Sequence, residues 1–243
     1  MGENLQGRTV VVIGGSSGIG LAVARAAIEA GARAVIGSSR AANVDAAVAG
    51  LGDRASGHAV DVGAESAVAA FFERVGPFDH LAFTAGDWSG AGRGPLADLD
   101  LAAAGAMFKV RFWGAIFACR QALRTISPSG SITLTNGMVA HRPSKGSALA
   151  TAMAGSVEHL TQGLAVELAP LRVNCVCPGM VRTDIWNSIP AEGREARIGQ
   201  MTKRQLIPRI GEPEELAQAY LYLMRGGYTT GQVLQVDGGM ALG

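Results

Sequence analysis

The sequence predicts an α/β protein whose parallel sheet is covered on both faces by helices, a doubly wound arrangement. Three observations lead there. Short β-branched apolar runs alternate with longer helical stretches along the whole chain, the pattern of strand–helix–strand units. The first run turns through glycines directly into a helix. The 243 residues, 48% hydrophobic and only 17% charged, suit one large core, so 1–243 is expected to form a single domain with no repeat or linker.

Taken in order, residues 9–13 (Thr-Val-Val-Val-Ile) show no polar alternation and read as a strand buried on both faces. Residues 21–30 read as a helix ended by Gly31. Further strands are expected at 34–38, 57–61, 80–84, 131–135, 172–176 and 233–236, with helices between. Residues 101–119 form the most apolar stretch; Lys109 and Arg111 interrupt it, so it reads as a buried helix too charged to span a bilayer. Right-handed crossovers between such strands give the Rossmann arrangement, in which ligands bind beyond the C-terminal strand ends. The loops after residues 13, 38, 61, 84, 135 and 176 are therefore the expected working surface.

Charge excludes several classes of partner. Lys and Arg total 21 against 20 Asp and Glu, scattered along the chain, which leaves no basic face for nucleic acid and no polybasic cluster for a membrane. A small-molecule ligand or substrate is the expected partner. The segment Met1-Gly2-Glu3-Asn4-Leu5-Gln6 lacks a signal-peptide core and a myristoylation pattern, and a cytoplasmic location is expected. Cys119, Cys175 and Cys177 are an odd, sparse set that reads as buried thiols in a reducing compartment. Cys175 and Cys177 share one side of a strand, but no matching His or Cys pair is evident, so no metal site is expected.

The glycine turn carries the first functional reading. In Gly14-Gly15-Ser16-Ser17-Gly18-Ile19-Gly20 the spacing is Gly-x-x-x-Gly-x-Gly, between a strand and a helix. Glycine permits the backbone angles of the turn and close approach of a pyrophosphate, while the unpaired N–H groups of the helix start form an anion site.

Several further motifs follow in order. Asp61-Val62 comes after the third strand, Phe83-Thr84-Ala85-Gly86 after the fourth, and Val173-Asn174-Cys175-Val176-Cys177-Pro178-Gly179-Met180-Val181-Arg182-Thr183 spans the sixth. The chain closes on Gly231-Gln232-Val233-Leu234-Gln235-Val236-Asp237-Gly238-Gly239. From residue 7 to 239 it resembles the short-chain dehydrogenase/reductase family. The glycine loop matches the family's T-G-x-x-x-G-x-G with Ile13 in place of threonine, and residues 83–86 are a degraded N-N-A-G that keeps Ala85 and Gly86. The resemblance implies cofactor contacts at Gly14, Ser16, Ser17, Gly18, Ile19, Gly20, Asp61, Val62, Ala85, Gly86, Pro178, Gly179, Val181 and Thr183, with Thr183 reaching the nicotinamide carboxamide. Asp61 either accepts from the adenine amino group or caps a helix.

Cofactor choice is read at the end of the second strand. An acidic residue there holds the ribose 2′-hydroxyl of NAD, whereas NADP needs cationic donors for a 2′-phosphate. Ser38-Ser39-Arg40 offers no acid and a planar guanidinium suited to phosphate, so NADP(H) is expected over NAD(H), through Ser39 and Arg40. The alternative leaves Arg40 merely opening the next helix in solvent.

The resemblance also implies an Asn, a Ser and a Tyr-x-x-x-Lys for proton transfer. Aligning Ala150-Thr151-Ala152-Met153-Ala154 on the tyrosine–lysine motif puts Ala150 and Ala154 at those two positions; Gly137 falls on the serine and Arg111 on the asparagine. No catalytic residue therefore stands at a family position. Tyr220, Tyr222 and Tyr228 are the only tyrosines and none begins a Tyr-x-x-x-Lys. His141, Arg142, Ser144 and Lys145 are substitute donors or solvated loop residues. Arg111 either restores a cation near the ribose or reaches solvent or a subunit contact. Trp88, Met138, Met153 and Trp186 either line an apolar pocket or pack.

Two functions remain open at this level. One is an NADP-dependent oxidoreductase with an unusual site, acting on an activated C=C or C=N bond; the other is a catalytically silent NADP(H)-binding sensor or structural subunit. The resemblance implies a homo-oligomer, tetramer or dimer, built through helices around 103–125 and 153–168 and the last strand.

Overall fold

The computed structural model describes residues 4–86 and 93–243. Seven strands form one parallel sheet in the order β3-β2-β1-β4-β5-β6-β7. They are β1 (Thr9–Ile13), β2 (Arg33–Ser38), β3 (Ala55–Ala59), β4 (Phe78–Phe83), β5 (Ile126–Thr135), β6 (Arg172–Pro178) and β7 (Val233–Val236). The helices are α1 (Gly18–Glu29), α2 (Ala41–Leu51), α3 (Glu65–Val75), α4 (Leu101–Phe108), α5 (Gly114–Ala122), α6 (Ala148–Glu167), α7 (Arg194–Thr202) and α8 (Pro213–Arg225). This is the doubly wound fold that the alternation predicts.

The period-2 geometry of a strand divides β1 between two cores. Val11 and Ile13 join Phe71, Phe72, Ala115 and Val157 on the α3, α5 and α6 side. Val10 and Val12 join Val23, Ala27, Leu216 and Tyr220 on the α1 and α8 side. The unbroken valine run of β1 is thus explained by burial on both faces.

Two expectations needed correction. β3 ends at Ala59, two residues before the expected end, because it is an edge strand whose side chains are mostly half-buried or exposed and show no apolar signature. The stretch expected as one helix over 101–119 is α4 and α5 joined by a π-helical turn, Lys109–Trp113. Such turns interrupt α-helices most often at functional sites, and this one carries Arg111.

The strand order reverses between β2 and β4, on either side of β1, and opens the crevice where ligands bind in such sheets. One contact sets its floor. A Cβ on Gly20 would lie 2.5 Å from the Thr84 hydroxyl and would also collide with the Gly14 carbonyl oxygen, so α1 seats against the ends of β1 and β4 only because residue 20 has no side chain. Gly20→Ala is expected to cost about 2 kcal/mol or more through overpacking, read as a lower urea midpoint with an unchanged slope. A midpoint equal to the parent's would show that α1 can withdraw freely.

Candidate active site

The glycine loop builds the first wall of the cleft. Ser17 is the N-cap of α1 yet makes no side-chain capping hydrogen bond, so the first-turn N–H groups are not satisfied from that side chain. Gly14 and Gly18 adopt φ of 89° and 50°, which glycine reaches without strain. A Cβ on Gly18 would stand 3.0 Å from Thr183 Cγ2, so the loop and Thr183 face each other closely. Ser16 Oγ donates to Ser38 Oγ at 2.8 Å, tying the loop to the end of β2. Ile19 is half-buried beside it.

The second wall comes from the next two strand ends. Ser39 and Arg40 are exposed after β2, and Arg40 is the N-cap of α2 in extended conformation. Asp61 does not cap α3, whose N-cap is Ala64; its Oδ1 accepts from the Gly63 N–H at 2.8 Å and closes a turn. Val62 is buried, and a Cβ on Gly114 would lie 3.1 Å from its carbonyl oxygen. The Lys109 stem lies over Gly63, where an added Cβ would stand 3.1 Å from Lys109 Cδ.

The third wall holds Arg111, Gly137, Ala150 and Ala154. Ala85 and Gly86 follow β4, and the guanidinium of Arg111 packs on Gly86 so closely that a Cβ there would lie 2.6 Å from Arg111 Cζ. Arg111 is only 5% exposed and its Nη1 donates to the Asn136 carbonyl at 3.3 Å. Ala150 and Ala154 are both buried on α6, and Gly137 lies in extended backbone just before a short turn, Met138–Ala140. On the far side Pro178 ends β6, the Gly179 N–H donates to the Val236 carbonyl at 3.0 Å, and Val181 is buried. A cavity of about 420 Å³ opens beside Gly18 and Thr183 and is lined further by Arg25, Arg182, Trp186 and Arg194.

The other candidates separate clearly. His141 Nε2 lies 2.7 Å from Glu158 Oε1 on α6. Arg142 donates to the carbonyls of Met240 and Gly243, while Ser144 and Lys145 are exposed. Met138 and Met153 are buried, and Trp186 donates from Nε1 to the Val181 carbonyl at 2.6 Å. Trp88 lies outside the described residues. No helix among the described residues is long and apolar enough to cross a membrane.

Sequence reasoning missed Glu158. Its Oε1 also accepts from Asn136 Nδ2. The result is a polar chain from Arg111 through the Asn136 carbonyl and amide to Glu158 and His141, running from beside Gly86 to the surface. All three cysteines are free and buried. Burial, reinforced by the nearby Glu158 carboxylate, pushes the Cys177 thiol up to about 12.

Two features of the described cleft fit a dinucleotide: a helix start left uncapped by its N-cap side chain, and a glycine loop with positive φ at Gly14 and Gly18 close against Thr183. Comparison with known proteins agrees. A family model described as enoyl-(acyl carrier protein) reductase matches residues 13–241. The short-chain dehydrogenase/reductase malC of Malbranchea aurantiaca is 33% identical over 98% of this chain and 96% of its own. Its solved structure, described as a reductase/Diels-Alderase, superposes with a TM-score of 0.91 at 32% identity over 98% of both chains. The cis-4-hydroxycyclohexanecarboxylate dehydrogenase of Sinomonas cyclohexanicum is 36% identical over 98% of both chains. A short-chain oxidoreductase from Pseudomonas aeruginosa PAO1, solved with NADPH bound and described as containing an atypical catalytic center, gives a TM-score of 0.88 at 28% identity over 96% of both chains. The order of motifs, the strand order and these likenesses converge: the chain belongs to the short-chain dehydrogenase/reductase family.

Proposed function

We propose that the protein is an NADP(H)-dependent reductase of polarised C=N or C=C bonds that does not use the family's tyrosine–lysine proton transfer. The observation that carries this reading is the joint state of four positions. Arg111, Gly137, Ala150 and Ala154 include no group able to donate a proton near neutral pH, since a guanidinium stays protonated throughout that range. When bound, the dinucleotide supplies a hydride. A ketone that accepts hydride becomes an alkoxide and needs a positioned acid, a contribution of roughly a hundred- to ten-thousand-fold. An iminium becomes a neutral amine and needs none; an enone becomes an enolate that solvent can protonate. The chain's own residues then have to bind, orient and shield.

The residues proposed to hold the cofactor are those of the cleft. The start of α1 with Gly14, Ser16, Ser17, Gly18, Ile19 and Gly20 takes the pyrophosphate; Asp61 and Val62 take the adenine; Ala85, Gly86, Pro178, Gly179, Val181 and Thr183 take the nicotinamide side. Arg40 and Ser39 select the 2′-phosphate. The buried guanidinium of Arg111 on Gly86 supplies the cation that a lysine at 154 would otherwise give, holding the ribose or an anionic group of the ligand. The Pseudomonas relative, described with bound NADPH and an atypical catalytic center, and the Malbranchea relative, described as a reductase, support the cofactor and the reaction class.

Loss of four positions at once also supports a second reading, an NADP(H)-binding sensor or structural subunit. NADPH consumption measured against cyclic imines, enones and simple ketones separates the two. Turnover of imines or enones with negligible ketone reduction is expected, and Arg111→Ala should weaken cofactor or ligand binding. Binding without turnover of any class favours the second reading. Robust ketone reduction untouched by substituting Arg111, His141 or Lys145 would defeat both.

Cofactor choice is tested separately. The unaltered protein is expected to bind NADPH more tightly than NADH, and Arg40→Asp should reverse the order, because a carboxylate repels the 2′-phosphate and accepts from the 2′-hydroxyl. Equal affinities in the parent protein would remove the role given to Arg40.

A homo-oligomer, dimer or tetramer, is proposed through the face that carries the π turn, in a cytoplasmic protein. Phe108, Phe112, Trp113 and Phe117 form a continuous row with ring centroids 5.5 to 6.2 Å apart, and Trp113 remains 50% exposed. Exposed aromatic surface of this kind marks contact sites. Light scattering is expected to give at least a dimeric mass, and Trp113→Glu to lower it; a monomeric parent in dilute solution would refute the assignment.

A further inference from the structure

Three donor groups of different chemistry converge on one flank of α6. The His141 imidazole, the Glu158 carboxylate and the Cys177 thiol each offer a ligand atom, and these atoms lie within 4.8 Å of one another. They come from the loop after β5, from the middle of α6 and from the end of β6, so the tertiary fold alone brings them together. Glu158 accepts from His141 and from Asn136, which fixes its Oε1 between them. Cys177 is fully buried, and a second sulfur, Met138 Sδ, lies 3.4 Å from its Sγ.

The Asn136 side chain bridges two of the donors, hydrogen-bonding Cys177 as well as Glu158. Asn136 is 1% exposed and uses its Nδ2 on Glu158, yet its Oδ1 has no hydrogen-bond partner among the described residues. A carboxylate beside a buried thiol is also electrostatically unfavourable to any thiolate. A cation among the three donors reverses that sign and draws on the negative charge the cluster concentrates.

We propose that His141, Glu158 and Cys177 form a binding site for one zinc(II)-type ion, with Asn136 orienting the carboxylate from behind. One thiolate, one imidazole and one carboxylate are the mixed N, O and S donors that a borderline-soft d10 ion takes tetrahedrally. Magnesium and calcium, which prefer all-oxygen sets, are disfavoured. Three protein ligands leave a fourth position, on the side where the His141 side chain is 31% exposed and solvent has access. Binding releases the Cys177 proton to solvent and replaces the His141–Glu158 hydrogen bond with two bonds to the metal. The site is independent of the cofactor reading above.

Equilibrium dialysis of the full chain against zinc(II), with cobalt(II) as a spectroscopic probe, tests it. One equivalent per chain is expected, with a thiolate-to-cobalt charge-transfer band that Cys177→Ser removes. His141→Gln and Glu158→Gln should each weaken zinc binding at least about tenfold, and Asn136→Ala about tenfold through loss of ligand orientation. His159→Gln, at an exposed position on the same helix, should change nothing. His141 is at the surface, so its variant keeps the fold, which circular dichroism checks. Undiminished zinc affinity in His141→Gln, a cobalt spectrum without the thiolate band, or no bound metal at micromolar free zinc would overturn the proposal.

Discussion

The seating of α1 on the ends of β1 and β4 is the constraint on which the rest of the molecule depends. Thr84 donates from both its backbone N–H (2.8 Å) and its hydroxyl (3.0 Å) to the Ile13 carbonyl, locking the two strand ends together, and the Gly14 N–H donates to the Gly37 carbonyl at 2.7 Å on the other side. Into this junction Gly20 brings the first turn of α1, at a distance that excludes any Cβ. The helix start and its N–H groups are thereby held at the strand-order reversal, facing Thr183. Moving the helix outward by one methyl group would open the sheet face and withdraw the anion site together.

The other end of the cleft carries a buried fixed charge, Arg111, and positions 150 and 154 are buried alanines. The π turn lets Arg111 point inward from an otherwise apolar helix, onto Gly86 and the Asn136 carbonyl. Glu158, two helical turns past Ala150, meets the same asparagine through its side chain. Arg111 and Glu158 thus meet one asparagine, the first at its backbone carbonyl and the second at its side-chain amide.

Much of this was legible in the sequence where a local rule governs. The buried run of β1, the glycine spacing before α1 and the Pro178-Gly179 turn each follow from backbone physics within a few residues, and β1 and β7 fall on 9–13 and 233–236 as read. Elements governed by less local effects were less legible. Edge strand β3 carries no apolar pattern because its side chains are half-buried or exposed, so the sequence places its end two residues too far along. The π turn has no compositional signature, since a shift in hydrogen-bond partner changes no residue type. Glu158 was passed over because it looks like an ordinary polar position on a helix, and its partners lie 17 and 22 residues away in sequence. Cys177 is the buried strand thiol that its place beside Cys175 implies, and its nearness to His141 and Glu158 is set by tertiary packing alone.

The central claim is that the cofactor meets a fixed cation and no proton donor. A crystal structure with NADPH bound measures it directly, through the distances from the nicotinamide ribose and the ring C4 to the nearest ionisable side chains. The account predicts Arg111 within hydrogen-bond reach of the ribose or of an anion beside it, with His141 still on Glu158 and Lys145 in solvent. His141 or Lys145 turned into the space above C4, with Arg111 distant from the cofactor, would contradict it.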